Sequence, residues 1–354
     1  MKILFLFPYP VGQAASQRFR FEQYFQLLSE KKIDYDIAPF MSLKTWRKFY
    51  KKGFIALKMY ALVIGFFKRF WKLISVSKYD YIFIHREVFP IGPPVFEWII
   101  SKVLGKKIIY DFDDAIWIPN SSESNRFFSP LKTHSNVFPI CKWSYKVSVG
   151  NDYLLRAVQP HNKNVSLNPT TIDTIGYHNR LSEHNGDNMV IGWTGSHSTN
   201  KYLTPFFEVV KKLKQKHDFT MIVISDEIPT ENQELFEFVK WKKESEIEDL
   251  LRFNIGVMPL THDPWSEGKC GFKALQYMAL GIPALVSPVG VNEQIVDDDI
   301  NGYVCRDQSQ WFDKLTYLLE NKDKIKKMGS RAREKIETHY SVKSNASNFI
   351  HLFS

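Results

Sequence analysis

Gly268-Lys269-Cys270-Gly271-Phe272-Lys273 opens into Ala274-Leu275-Gln276-Tyr277-Met278-Ala279-Leu280, halts at Gly281-Ile282-Pro283 and resumes as Ala284-Leu285-Val286. A glycine loop meets a helix, Gly and Pro end the helix, and a short apolar run follows. Such a run, bounded by turn residues, reads as a strand buried on both faces. Two glycines at a helix start allow close backbone approach, where free N–H groups and the helix dipole favour an anion. Lys269 and Lys273 add point charges. Gly-x-x-x-x-Gly-Lys-Ser/Thr is absent, so this is not a Walker A loop. An ordinary glycine turn with surface lysines is the plainer alternative.

The same alternation extends outward in both directions. Before it come strands at Met189–Trp193, Thr220–Ser225 and Ile255–Pro259, with helices at Leu203–Lys216 and around Glu244–Arg252. After it a helix is expected near Gln310–Glu320. A polar stretch, Thr170–Asn188, precedes this half as a linker. The N-terminal half repeats the theme, with strands at Lys2–Phe7, Tyr35–Pro39, Tyr81–Ile84, Lys107–Tyr110, Lys146–Val149 and Asn164–Leu167. Helices are expected there at Arg18–Lys31, Pro94–Leu104 and Ser135–Trp143. The fold class is therefore α/β, with two Rossmann-like domains, parallel sheets and a central cleft.

Composition agrees. The 354 residues suit two domains. With 44% hydrophobic and 24% charged residues the chain is neither disordered nor a multi-spanning membrane protein. Three cysteines far apart (Cys141, Cys270, Cys305) argue against a disulfide scaffold or zinc cluster and suit a reducing cytoplasm. The Lys2–Phe7 run is too short for a signal peptide, and Lys58 breaks the apolar run Phe54–Phe67. No histidine sits in His-Glu-x-x-His or beside the cysteines, so no metal is expected.

From Gly271 to Pro283, then Gly290-Val291-Asn292-Glu293 and Asn301-Gly302, the sequence resembles the donor signature of glycosyltransferase family four. Ile191-Gly192-Trp193-Thr194-Gly195 through Lys201 is similar to that family's phosphate loop, and Asn168-Pro169…Asp173 to its domain junction. The resemblance implies a GT-B fold with an N-terminal acceptor-side domain over residues 1–170 and a nucleotide-sugar domain over 171–333. Residues 334–354 would form a C-terminal helix crossing back to the first domain. It implies a retaining, metal-independent transferase using a UDP- or GDP-sugar and no cofactor. The family's second Glu falls on Gln276, which can still hydrogen-bond a ribose. Its first falls on Gly268, with Glu267 one residue early, and its phosphate-loop Arg falls on Ser196.

Breaking a sugar–phosphate bond leaves a diphosphate whose charge needs preorganised cations or N–H groups. Lys201 and Lys273 are the expected catalytic cations, with Lys269 beside them. The expected donor contacts also include Gly195, Ser196, Glu267, Gly268, Cys270, Gly271, Phe272, Gln276, Gly290 and Glu293. Asp111-Phe112-Asp113-Asp114 invites a metal reading, but Asp113 is favoured as a catalytic cleft carboxylate and Asp114 as an acceptor contact. Capping of the next helix is the alternative for Asp114. His85, Arg86 and Glu87 at a strand end, with Gly12 and Arg18 after the first strand, are the other expected acceptor contacts. A surface salt bridge is the alternative for the His85–Glu87 triplet, and Arg18 with Arg20 would suit an anionic acceptor.

The formal charge of +9 is one local feature. Ile37–Tyr79 carries ten Lys and Arg and no acid, so the rest of the chain is nearly neutral. Lys44, Arg47, Lys48, Lys51, Lys52, Phe66, Phe67, Arg69 and Trp71 are the expected contacts with an anionic membrane surface. A solvated helix face and nucleic-acid binding are the alternatives; beside the donor signature the membrane reading is preferred and nucleic acid is not expected. The protein would act in the cytoplasm, peripherally at the inner face of the membrane. Its acceptor would be a lipid-linked molecule or a glycan of the cell surface. Other GT-B chemistry (a nucleotide-sugar epimerase or a phosphorylase) and a non-catalytic sugar-nucleotide or membrane-binding protein are the alternative functions.

Overall fold

The computed structural model describes residues 1–49, 53–119, 134–184 and 188–354. They form two compact units, Met1–Pro169 with Ala346–Ser354, and Thr170–Asn345. Each unit is built on a six-stranded, all-parallel sheet.

In the first unit the strands are β1 (Lys2–Phe7), β2 (Asp34–Pro39), β3 (Tyr81–His85), β4 (Lys107–Phe112), β5 (Lys146–Val149) and β6 (Val165–Leu167), ordered β2-β1-β3-β4-β5-β6. Strands β1 and β3–β5 are almost wholly buried, which is why they read as continuous apolar runs rather than alternating ones. The second unit holds β7 (Val190–Thr194), β8 (Thr220–Ser225), β9 (Glu237–Lys240), β10 (Ile255–Met258), β11 (Ala284–Val286) and β12 (Gly302–Val304), ordered β12-β11-β10-β7-β8-β9. The two edge strands of this sheet, β9 and β12, were not anticipated. β9 is exposed or half-buried along its length, and β12 spans only Gly302–Val304.

The chain returns to the first unit at residue 346, later than the expected 334. The Lys322–Lys335 helix runs into a π-helical turn, Ile336–Tyr340. There the Ile172 N–H donates to Tyr340 O at 2.8 Å and the Val342 N–H to Ile172 O at 3.0 Å, keeping this stretch on the second unit. Phe349 then stacks on Tyr24 at 4.1 Å, inside the first unit.

Helix Ile55–Ser75 is anchored to the first sheet by two devices. Gly65 lies against Phe40, where a Cβ would come within 2.2 Å of the ring. Leu62, Phe40 and Met41 form the small buried cluster beneath. Arg69 is 4% exposed, and its guanidinium donates to Phe7 O (3.0 Å), Ala38 O (2.6 Å) and Val88 O (3.0 Å). It ties the helix to the carboxyl ends of β1 and β2 and to the loop after β3. Burial lowers the group to about 10, so it stays charged at neutral pH.

Candidate active site

In an open parallel sheet, ligands bind beyond the carboxyl ends of the strands where the order reverses. In the second unit that point lies between β7 and β10. The loops there are bonded to one another. Tyr277 on helix Phe272–Ala279 accepts the Thr194 N–H at 2.9 Å. Ser266 donates to Tyr202 at 2.9 Å, joining the loop after β10 to the loop after β7. The Leu260 N–H donates to Ser287 Oγ at 3.0 Å, and the Gly290 N–H to Glu267 Oε2 at 3.1 Å, which draws in the loop after β11. Gly271 opens the Phe272 helix at φ +67°, where an added Cβ would also meet Ile295 at 2.1 Å.

The expected donor residues divide on this frame. Gly195 donates its N–H to Ile224 O, and Ser196 forms a capping box with Thr199 at the start of the 3-10 turn His197–Tyr202. Lys201 is exposed above the Tyr202 ring, its Nζ 5.0 Å from the centroid. Lys269, half-buried, sits over Trp265 at 5.5 Å. Lys273 is 9% exposed and lies 5.3 Å from the Trp193 centroid. An ammonium within about 6 Å of an indole centroid is attracted by the ring's quadrupole.

Other residues are engaged inside the fold. Gly268 and Cys270 are buried, Gly268 closing the short Pro264–Glu267 helix. Phe272 begins the next helix, half-buried. Glu267 bridges two loops, its Oε1 3.3 Å from His262 Nε2. Gln276 is 2% exposed, its amide nitrogen 3.5 Å from His178 Nε2, so burial turns the expected ribose contact inward. Glu293 points to the surface and pairs with Arg306 at 2.8 Å. The exposed pair His197–Asp226, 2.7 Å apart at the ends of β7 and β8, was not anticipated.

In the first unit the order reverses between β1 and β3, and the loops following these strands line a pocket. Tyr9, Arg86, Glu87, Phe89, Glu97 and Tyr110 are among its walls. Arg86 carries φ +62°, a strained left-handed conformation for a side chain of this size. Its Nη2 donates to Asp113 Oδ1 at 2.9 Å and Asp114 Oδ2 at 2.7 Å, and Tyr110 Oη donates to the Arg86 carbonyl at 2.7 Å. Arg86, Asp113 and Asp114 thus gather in ion pairs at neighbouring strand ends, with Glu87 beside them.

His85, Gly12 and Arg18 behave differently. His85 is fully buried, its Nδ1 2.8 Å from Asp111 Oδ2, so it faces the core and not an acceptor. Asp111 also accepts from Ser148 at 2.7 Å and pairs with buried Arg20, whose charge and hydrogen bonds hold its carboxyl well below the usual range. Arg20 further donates to Asn168 O. Arg18 is 8% exposed beneath the Phe19 ring. The two arginines considered for an anionic acceptor are therefore buried. Gly12 has its N–H held by Glu22 at 2.8 Å.

Glu97 was missed, although one acid inside the apolar run Val95–Ile100 was a visible signal. It is 2% exposed, accepts the Val88 N–H at 2.8 Å, and burial pushes it up to about 7. A carboxyl whose folded value exceeds its ordinary 4.5 favours the fold fully below that value, and the gain is lost as pH rises towards 7. The loss is about 3 kcal/mol at most. Glu97→Gln is expected to flatten the fall in urea-unfolding free energy between pH 4.5 and 7.5; an unchanged slope would contradict this account.

Of the expected membrane contacts, Lys44, Arg47 and Lys48 are exposed on the Leu43–Phe49 helix, and Phe66, Phe67 and Trp71 on the next. Arg69 is a correction: three backbone carbonyls draw it into the interior. Lys51 and Lys52 lie outside the described residues.

Residues 188–321 match the model of the family described as Glycosyl transferases group 1. The chain is similar in structure to sucrose-phosphate synthase from Thermosynechococcus elongatus, with TM-score 0.71 and 12% identity over 100% of this chain and 98% of that one. It is also similar to a glycosyltransferase from Rickettsia africae (TM-score 0.64, 12% identity, 99% and 97% covered). HepE from Anabaena, in complex with UDP, gives TM-score 0.62 at 12% identity over 99% of each chain. No curated protein matches the sequence. The match over residues 188–321 bears out the resemblance carried by the donor signature, and the likeness to these structures bears out the GT-B fold.

Proposed function

We propose that the protein moves a sugar, with retention of configuration and without a metal, from a UDP- or GDP-sugar to a lipid-linked or glycan acceptor of the cell surface. One observation carries the reading: Lys201, Lys269 and Lys273 stand on mutually bonded loops at the strand-order reversal of the second unit. Cations held there can take up the charge of a departing nucleoside diphosphate. Lys273 and Lys201 are the catalytic groups of this reading. In the first unit Asp113 orients the acceptor, with Arg86 fixing its carboxylate. HepE, captured with UDP, supports a nucleoside diphosphate as the product.

A nucleotide that binds only the folded chain raises its melting temperature, by about 2.7 kcal/mol of stabilisation at a hundred times Kd. UDP or GDP is expected to do so. Absence of a shift with UDP, GDP and their sugars would sink the reading. A second reading, nucleotide binding without turnover, draws on the inward-facing Gln276 and the surface-paired Glu293. It predicts the melting shift with no transferred sugar.

The acceptor reading extends to the inner membrane face. No described helix is long and apolar enough to cross a bilayer. Helix Ile55–Ser75 is about 30 Å long and turns apolar side chains outward: Tyr60 is 64% exposed, Trp71 66% and Ile74 65%. Lys58 and Arg69 face inward instead. An amphipathic helix in this orientation suits burial of its apolar face at a bilayer surface, with Lys44, Arg47, Lys48 and Lys68 meeting anionic headgroups. Phe66 on this helix also touches Phe89 of the acceptor pocket, centroids 5.7 Å apart, which favours an acceptor with a lipid tail. Phe67→Ser with Trp71→Ser is expected to cut flotation with anionic liposomes at least tenfold and leave the melting temperature unchanged. Undiminished flotation would remove the membrane from the proposal.

A further inference from the structure

The pocket of the first unit has an unusual balance of charge. Arg86 is the one Lys or Arg among its described walls, and its Nη2 is already bound to Asp113 and Asp114. Glu87 and Glu97 are both in the lining. The Glu87 side chain forms no hydrogen bond or ion pair with any described residue. Arg86 Nε, by contrast, is a buried donor with no hydrogen-bond partner among the described residues. Tyr9, Phe89 and Tyr110 supply aromatic surface.

A phosphate or carboxylate offers only acceptor oxygens, and at Glu87 it would meet like charge. A sugar hydroxyl both donates and accepts. It can give its proton to Glu87 and receive the Arg86 Nε–H, while apolar C–H faces of the ring lie against aromatic walls. A strained backbone at Arg86 is the kind of cost retained where a side chain must be aimed.

From this we infer that the pocket binds an uncharged, hydroxyl-bearing sugar unit as the acceptor end, and rejects phosphorylated or uronic-acid sugars. The inference rests on the glycosyltransferase reading and adds the acceptor class to it. Glu87 and Arg86 become its specificity-determining groups.

The test uses the full chain saturated with UDP, so that the donor site is filled. Saturation-transfer NMR titrations would compare the methyl glycosides of glucose, galactose, mannose and N-acetylglucosamine with glucose 1-phosphate and methyl glucuronide. At least one neutral glycoside is expected to bind saturably, and at least tenfold more tightly than either anionic sugar. Glu87→Gln, which weakens the acceptor without changing its size, should loosen the neutral glycoside about five- to tenfold, the scale of one ordinary net hydrogen bond. It should leave the UDP-induced melting shift intact. Anionic sugars binding as well as neutral ones, no saturable binding by any neutral glycoside, or Glu87→Gln leaving the neutral sugar unaffected would each overturn the inference. A UDP or GDP shift retained beside any of these failures locates the error in the acceptor class; a missing shift with both nucleotides locates it in the glycosyltransferase reading.

Discussion

Lys273→Met is expected to lower kcat/KM for sugar transfer about 10²- to 10³-fold, the range found when one preorganised group that stabilises transition-state charge is removed. The melting temperature should move little, because methionine keeps most of the side-chain bulk over Trp193. Lys273 is the informative cation because it is 9% exposed, whereas Lys201 is open to solvent. Charge in a water-poor site acts on a diphosphate with less screening. Lys201→Met should therefore cost less, and the order of the two effects tests the assignment as sharply as their size. Steady-state kinetics with the nucleotide sugar identified by the melting screen, run beside thermal melts, checks both. Unaltered turnover in Lys273→Met would remove it from the mechanism.

The second large effect concerns folding. Asp111→Asn should destabilise the first unit by about 3–5 kcal/mol, because breaking a buried ion pair leaves its partner uncompensated. Asp111 and Arg20 are both buried, and the same carboxylate also receives Ser148 and faces His85. An asparagine could keep part of the geometry but would leave the Arg20 charge unpaired. Urea unfolding at neutral pH would read the loss. The carboxyl lies far below its ordinary value, so its contribution is present above pH 4 and disappears as acid protonates it. The wild type should accordingly lose its advantage over the variant towards low pH, and a constant difference would argue against an ionic origin.

The core strands were legible because strands covered on both faces must be apolar throughout, and Lys2–Phe7 or Thr220–Ser225 leaves little other choice. The edge strands β9 and β12 were not, since a short, partly wet strand carries no such signature. Lys269, Lys273 and the glycine loop could be read directly: a helix entrance and its cations are neighbours in sequence. The side chains that failed expectation did so for a common reason. His85, Gln276 and Arg69 are polar residues whose partners lie far away in the chain or on the backbone. Asp111 is 26 residues from His85, and His178 is 98 from Gln276. Sequence shows that a group is polar, but not whether water or a buried carbonyl will satisfy it.

The Arg69 tie has a consequence for how the outward-facing helix could be gained or lost. It is not an appendage that can be cut away to leave a trimmed enzyme behind. Removing it would strip three carbonyls, at Phe7, Ala38 and Val88, of a shared donor, and would uncover Phe40 where Gly65 rests. A relative in which this outer face had to be polar would more readily exchange Phe67, Trp71 and Ile74 than shed the segment. Its ancestry would stay visible in an arginine that still reaches inward.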